Sequence, residues 1–389
     1  MGTTAKANVK VLFALTLVHF TGDFYSSFTS PLFPLFVDKL GLSLAQVGAI
    51  AGINRFLAFI VQPTVGYLAD RYPTRGFIMA GLLLPVVFIP LSGLAWGFWS
   101  LLLLVAVGSL GSSMFHPSVT GMVPLYAGRN AAFSMSVFNT GGTLAFGVGP
   151  LLVTWYAARY GLTALPWTMA LGLGVMVYLA LTLPAPQSEG LQRNGFLGAL
   201  KESLGGAWKS IALIWLVMVL RAVVGQSFMT FMPVFYVQKG FSVVSAGVIF
   251  SLFTVAGTFS GLLSGHLADR WGYKPLFWAS HLLMTPVLLL FLRLEGNWVY
   301  LGAAMAGGVV LASLPLGVVM AQTLAPKGRS MVSSLMMGLA FGLGGIISPL
   351  VGKLADIYTI EAVLTALALI PLVTLALIHR FPAVRNPQG

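Results

Sequence analysis

Gly66-Tyr67-Leu68-Ala69-Asp70-Arg71 is read again 199 residues later as Gly265-His266-Leu267-Ala268-Asp269-Arg270. The same offset carries Pro34, Gly41, Ser43, Gly48 and Pro150 onto Pro233, Gly240, Ser242, Gly247 and Pro349. Gly128-Arg129 returns one residue out of step as Gly328-Arg329. A repeat of half the chain length is an architectural signal, not a local one. The chain around it is apolar: 58% of its 389 residues are hydrophobic and 8% are charged, against about 25% charged in soluble domains. So little polar surface cannot cover a globule in water, which leaves lipid as the solvent. An apolar chain built from two similar halves points to a secondary transporter.

Turn residues and charges divide the chain into twelve apolar segments, near 9–37, 43–70, 75–95, 97–126, 130–158, 163–184, 210–238, 243–270, 273–293, 296–325, 328–358 and 360–381. A spanning helix needs about 20 such residues. The expected fold is an all-α integral membrane protein with twelve transmembrane helices in two six-helix halves, 1–184 and 210–389, joined by a polar linker at 185–209. Of the 21 Lys and Arg, fourteen fall on one side of these spans, five on the other, and two inside them. The richer side is expected to be cytoplasmic. Both termini and the linker then face the cytoplasm, and the halves are parallel repeats. The net charge of +12 is therefore read as a topology signal, and nucleic acid is not expected as a partner. The partners expected are the lipid bilayer, protons and a small substrate, with the protein acting as a monomer.

The chain has no cysteine, so neither a disulfide framework nor a thiolate metal site is available. The apolar run after the basic segment Met1–Lys10 is too long for a signal-peptide core and is read as a retained first span. No metal-ligand set, nucleophile elbow or phosphate-binding glycine loop is legible in chain order, so neither an enzyme nor a cofactor is expected. A channel has no need of two halves with matched loops. The glycines of Gly141–Pro150 and of Gly338–Pro349 have two readings: close packing of helices, or a face on which helices slide or bend.

Ionisable residues inside spans are few, and each is informative. They are His19, Asp23, Arg55, His116, Arg221 and His281. At about 1.5 Å per residue from the nearest flanking charge, Asp23, Arg55, His116 and Arg221 lie about 20, 22, 20 and 18 Å deep. His281 is only about 10 Å deep and reads as structural or interfacial. His19 and Asp23, four apart, share a helix face. Asp23, His19 and His116 are the proton-coupling candidates. His116 has further readings, as a hydrogen-bond partner of substrate or of a backbone carbonyl freed by Pro117. Arg55 and Arg221 outnumber Asp23, so an anionic or zwitterionic substrate is expected. Arginine's planar fork suits phosphonate or carboxylate oxygens. The alternative is a structural Asp23–Arg55 pair with Arg221 held by carbonyls. Phe20, Phe24, Tyr25, Phe115, Phe138, Phe228 and Tyr236 are plausible cavity aromatics. Phe24, Tyr25 and Phe115 are the candidates beside the polar cluster, with Asn54, Asn139 and Gln226 as polar candidates.

The loop from Gly66 through Asp70, Arg71 and Arg75, between spans 2 and 3, resembles the signature loop of the major facilitator superfamily. Its repeat, Gly265 through Asp269 and Arg270 to Lys274, sits where that family carries a second copy. The resemblance covers the whole chain. It implies alternating access, with spans 1, 4, 7 and 10 lining the cavity and Asp70 latching the cytoplasmic gate. Paired locally with Arg71 or Arg75, Asp70 is instead a static loop bridge. His19-Phe20-Thr21-Gly22-Asp23, Gln62-Pro63-Thr64-Val65-Gly66-Tyr67, Gly111-Ser112-Ser113-Met114-Phe115-His116-Pro117 and Gly338–Ala355 are similar to fosmidomycin-resistance-type efflux proteins. That likeness implies proton-coupled antiport, export of a phosphonate antibiotic and a bacterial inner membrane. Arg55 departs from the pattern, which leads us to expect an uncharged residue there. An organic-anion importer or exchanger is the alternative.

Overall fold

The computed structural model describes residues 7–69, 74–127, 131–184, 205–325, 336 and 340–382. Among these residues the regular structure is helical, with no strand. The α-helices of the first part are α1 (Val9–Ser26), α2 (Thr29–Leu40), α3 (Leu44–Ala69), α4 (Thr74–Leu91), α5 (Phe98–Tyr126), α6 (Ala131–Tyr160) and α7 (Met169–Thr182). Then come α8 (Trp208–Gln238), α9 (Val243–Trp271), α10 (Tyr273–Arg293), α11 (Trp298–Leu324), α12 (Ala340–Ile346), α13 (Ser348–Ile357), α14 (Ile360–Leu367) and α15 (Ile370–His379). Ten helical stretches are long and apolar enough to cross a membrane. Span 1, divided into α1 and α2, and span 11, divided into α12 and α13, complete the twelve. The linker at 185–204, Asp70, Arg71 and Arg329 lie outside the described residues.

Prolines explain the breaks. A proline has no N–H for the carbonyl four residues earlier. Pro31 leaves Ser27 without its partner, and span 1 bends at Ser27–Phe28 while both residues keep helical dihedrals. Pro371 does the same to Leu367, where α14 stops. Pro349 does it to Gly345, just before α12 gives way to α13. Freed carbonyls need other donors in lipid. The carbonyl of Ala368, in the gap between α14 and α15, accepts from Thr285 Oγ1 at 2.7 Å.

Basic side chains close helix C-termini, and they do so twice. Lys39 Nζ donates to the Gly93 carbonyl at 2.8 Å, and Lys239 Nζ donates to that of Leu292 at 2.6 Å. Arg75 Nη2 donates to the Ala180 carbonyl, and Lys274 Nζ to that of His379 at 2.7 Å. Both pairs of acceptors are related by the 199-residue offset. A cation there satisfies an orphan carbonyl and faces the negative end of the helix dipole. Gly41 and Gly240, just beyond spans 1 and 7, both have positive φ, at 63° and 91°, which glycine adopts at no steric cost.

The chain forms two compact units. One contains Met1–Leu42, Leu57–Leu191 and Ser242–Gly247, and the other contains Ser43–Phe56, Gln192–Phe241 and Val248–Gly389. Each unit thus holds a short segment from the other copy of the repeat. The reason is close helix packing at repeated positions. A Cβ on Gly48 would lie 2.2 Å from the Ser348 carbonyl oxygen, and one on Gly352 would lie 2.1 Å from that of Leu44. In the first unit a Cβ on Gly247 would lie 2.2 Å from Thr154 Oγ1 and 3.0 Å from the Pro150 oxygen. Asp356 adds an electrostatic contact in the second unit alone. Its carboxylate accepts from the Leu44 and Ala45 amides at 2.7 and 2.9 Å, where the helix dipole favours negative charge. The residue at the corresponding place in the first copy is Ala157.

A methyl at Gly48 has no room, because it meets backbone. Gly48→Ala is expected to lower stability in detergent by about 1–3 kcal/mol, the cost typical of overpacking. Gly76→Ala, where a Cβ meets nothing within 4 Å, is the control. Thermal unfolding of both variants checks this, and equal melting curves would refute it.

Candidate functional site

In the first unit α1 packs against α4, α5 and α6. Its own four-residue spacing aims His19 and Asp23 the same way, and α5 brings His116 to the same carboxylate. His19 Nε2 lies 3.2 Å from Asp23 Oδ2, and His116 Nε2 lies 3.1 Å from Asp23 Oδ1. The other nitrogen of each imidazole is tied to backbone. His19 Nδ1 lies 2.9 Å from the Phe138 carbonyl, and His116 Nδ1 lies 2.7 Å from the Ser112 carbonyl. A carbonyl only accepts, so each Nδ1 carries a hydrogen. Each Nε2 is then a lone pair unless the ring is charged.

This places a chemical demand on the two contacts with Asp23. A carboxylate oxygen is also an acceptor. Each nitrogen–oxygen contact therefore needs a proton between its atoms. Bridging both takes two protons, and the three side chains then carry one net positive charge. Removing one proton leaves them neutral, with one lone pair facing another. The cluster is thus held together according to how many protons it carries.

Stacked rings hold the imidazoles. Phe138 lies 4.2 Å from His19 and Phe115 lies 4.3 Å from His116, centroid to centroid, and the two imidazoles meet edge to face at 5.3 Å. Gly22 leaves room for the Phe115 ring, since a Cβ there would sit 2.2 Å from Phe115 Cζ. Access is unequal: the His19 and Asp23 side chains are 11% and 7% exposed, but that of His116 is 29% exposed. His116 is the member open to exchange.

The other candidates fall in different settings. Tyr25 is buried, donating to the Thr168 carbonyl and accepting from the Gly172 amide, so its hydroxyl fastens span 6. Phe24 packs among Phe20, Tyr25 and Phe28. Phe115 is buried behind His116, and Asn139 is exposed on α6. In the second unit, Asn54 and Arg55 are half-buried on α3, and Arg55 runs past Gly345. Arg221 and Gln226 are buried on α8, with Arg221 Nε donating to the Val310 carbonyl at 2.8 Å. His281 is fully buried, and its Nδ1 bonds the Phe277 carbonyl. Of the gating candidates, Arg75 and Lys274 are engaged at the helix ends described above, Arg270 is exposed, and Asp269 stands in the last turn of α9.

Two partners escaped the sequence reading. The Phe138 carbonyl carries no side-chain signal. Ser112, four residues before His116, was within reach of a helical count. The His116 bond goes to Ser112, not to Ser113, whose carbonyl Pro117 frees. Folding brings the imidazole nitrogens and carboxylate oxygens of His19, Asp23 and His116 within 4.8 Å of one another, a closeness that chain order does not disclose for His116. Two protons satisfy the same atoms.

A duplicated bundle of membrane-spanning helices with a proton-requiring cluster on its first and fourth spans has the make-up of a secondary transporter. The sequence profile of the Major Facilitator Superfamily matches residues 15–349 and, separately, 246–388. The chain is 27% identical over 376 residues to the fosmidomycin resistance protein of Escherichia coli K12, covering 95% of this chain and 92% of that one. It is 28% identical to the MFS-type transporter YfnC of Bacillus subtilis 168, over 93% and 90%. The fold is shared with a bacterial homologue of the human lysosomal transporter Spinster, crystallised inward-facing and occupied, at a TM-score of 0.82 and 16% identity, covering 97% of both chains. The chain belongs to the Major Facilitator Superfamily: it is a multi-pass membrane transporter, not an enzyme.

Unequal access gives an order of reactivity. Among the three histidines inside spans, diethyl pyrocarbonate at mildly alkaline pH is expected to modify His116 first, His19 more slowly and His281 only on unfolding, all after the exposed His266 and His379. Peptide mass spectrometry against time reads the order, and early modification of His281 would contradict it.

Proposed function

We propose that the protein is a proton-coupled antiporter that exports a small anionic or zwitterionic molecule, phosphonate-like or carboxylate. The observation that carries this reading is His116, whose Nε2 meets Asp23 at 3.1 Å while its side chain stays 29% exposed. Protonated, that nitrogen is spent on Asp23. Deprotonated, it is an acceptor that a hydroxyl or N–H of a substrate can use. Proton and substrate then compete for one atom, which is the requirement for exchange. Arg55 and Arg221 are the candidates for the anionic group that the surplus of span arginines over Asp23 suggests, and Arg221 donates to the Val310 carbonyl.

The names of relatives agree in kind. One is the fosmidomycin resistance protein. Another, 27% identical over 68% of this chain and 67% of its own, is the multidrug resistance protein MdtG of Citrobacter koseri. We place the protein as a monomer in a bacterial inner membrane with both termini cytoplasmic, on the distribution of Lys and Arg. Asp70 and Arg71 with Arg75, and Asp269 and Arg270 with Lys274, are its gate loops by family likeness.

The test uses everted membrane vesicles and fosmidomycin. An inward-acid gradient is expected to drive uptake by the wild type. Asp23→Asn keeps the shape of the carboxylate while holding one proton fewer, so it should lose gradient-driven uptake and retain counterflow. Gradient-driven uptake at the wild-type rate by Asp23→Asn would remove Asp23 from coupling. Failure of anions to compete with uptake would remove the charge assignment, and uptake without counterflow would indicate a channel.

A further inference from the structure

We propose that Gly142 is a positioning residue for the proton contact between His19 and Asp23, a role distinct from helix packing. The inference rests on the proton reading of the cluster. A single turn of α6 holds the His19 ring at both ends. At one end the Phe138 carbonyl accepts the Nδ1 hydrogen at 2.9 Å. At the other, four residues on, Gly142 faces Nε2. A Cβ on Gly142 would lie 2.6 Å from His19 Nε2, 2.7 Å from Asp23 Oδ2 and 2.7 Å from His19 Cε1. The methyl of an alanine would press on both atoms of the 3.2 Å contact. Any larger side chain would part them or push α6 away.

The neighbouring glycine separates this role from packing. Gly141 is also pressed against α1, but a Cβ there meets Thr16 Cγ2 and the Thr16 oxygen, both at 2.9 Å. Both positions lie in one helix crossing, and only one touches the cluster. The arrangement also divides the cluster. The His19 contact is closed in by α6, while the His116 contact is on the exposed side. Gly142 therefore tunes how firmly the proton between His19 and Asp23 is held, leaving His116 to exchange.

Among the described residues, the elements packed around the cluster place no other ionisable group on it. On α1, Lys10 is exposed near its start, and Tyr25 is bonded to Thr168 and Gly172. Arg75 of α4 is bonded to Ala180. The remaining such groups are Tyr126 of α5, Tyr156, Arg159 and Tyr160 at the end of α6, and Tyr178 of α7. Among the described residues, none of the hydrogen-bond or ion-pair partners of His19, Asp23 or His116 is one of these groups.

The experiment compares Gly142→Ala with Gly141→Ala, each adding one methyl to the same crossing. The readouts are the pH profile of fosmidomycin uptake into everted vesicles and proton release when fosmidomycin is added to purified protein. Gly142→Ala is expected to displace the half-maximal pH by about one unit, a tenfold change in proton affinity. Gly141→Ala is expected to keep the wild-type profile even if it is less stable. In an Asp23→Asn background, read by the counterflow that this variant retains, the Gly142→Ala displacement should vanish. Equal profiles for the two glycine variants would overturn the role of Gly142 alone. A wild type with no pH dependence would overturn the proton reading with it. Should Gly142→Ala not accumulate, His19→Asn, with a smaller side chain, is expected to restore its expression and not that of an equally impaired Gly141→Ala. Rescue of neither would overturn the inference.

Discussion

A carbonyl oxygen left without a donor in hydrocarbon costs several kcal/mol, and a chain of 21 prolines creates many such oxygens. Much of this structure answers that constraint. Helices stop or bend just after the carbonyls that Pro31, Pro349 and Pro371 leave unpaired. Thr285 reaches across to one buried oxygen in the gap between α14 and α15, and Lys39, Lys239, Arg75 and Lys274 reach to four more. Arg75 and Lys274 also belong to the basic-rich side from which orientation is argued, whereas Lys39 and Lys239 stand on the poorer side. Closing helix ends is thus a requirement met at both faces, and for Arg75 and Lys274 it coincides with marking a side.

The ionisable cluster obeys the same rule with higher stakes. Backbone carbonyls fix both imidazoles, and this is what makes the contacts with Asp23 depend on protons. Without the Phe138 and Ser112 bonds either ring could change tautomer and satisfy the carboxylate while neutral. The backbone converts two ordinary histidines into groups whose packing reports their charge. Ring stacking by Phe115 and Phe138 limits the alternatives further.

Legibility followed periodicity. The 199-residue offset and the apolar segments disclose the twelve-span design but not the breaks within spans 1, 11 and 12, because proline also stands inside unbroken helices such as α4, α8 and α11. His19 and Asp23 could be paired because four residues make one turn. His116 joined them through an estimate of depth, which helical rise supplies. Depth says nothing of the direction in which a side chain points. Arg221 shares the estimated level of Asp23 yet is buried against Val310, and Tyr25 sits next to the cluster in sequence while serving span 6. Partners that are backbone atoms leave no trace in residue type, so the Phe138 carbonyl could not be foreseen. The exchange of segments between units was hidden for a related reason. Gly48 and Gly247 were visible as repeats, but a missing side chain does not say what fills its place.

Those repeated glycines carry a consequence for tolerance to change. Gly48 of the first copy rests on Ser348 and Pro349 of the second, and Gly247 of the second rests on Pro150 and Thr154 of the first. Pro150 and Pro349 occupy the same place in the two copies, but Ser348 and Thr154 do not. Gly48 meets backbone that cannot yield, while the nearest atoms to Gly247 belong to a threonine side chain. Asp356, which has Ala157 as its counterpart, adds a contact for which the first copy brings no carboxylate. Two positions alike in sequence are therefore unequal in what they would forgive.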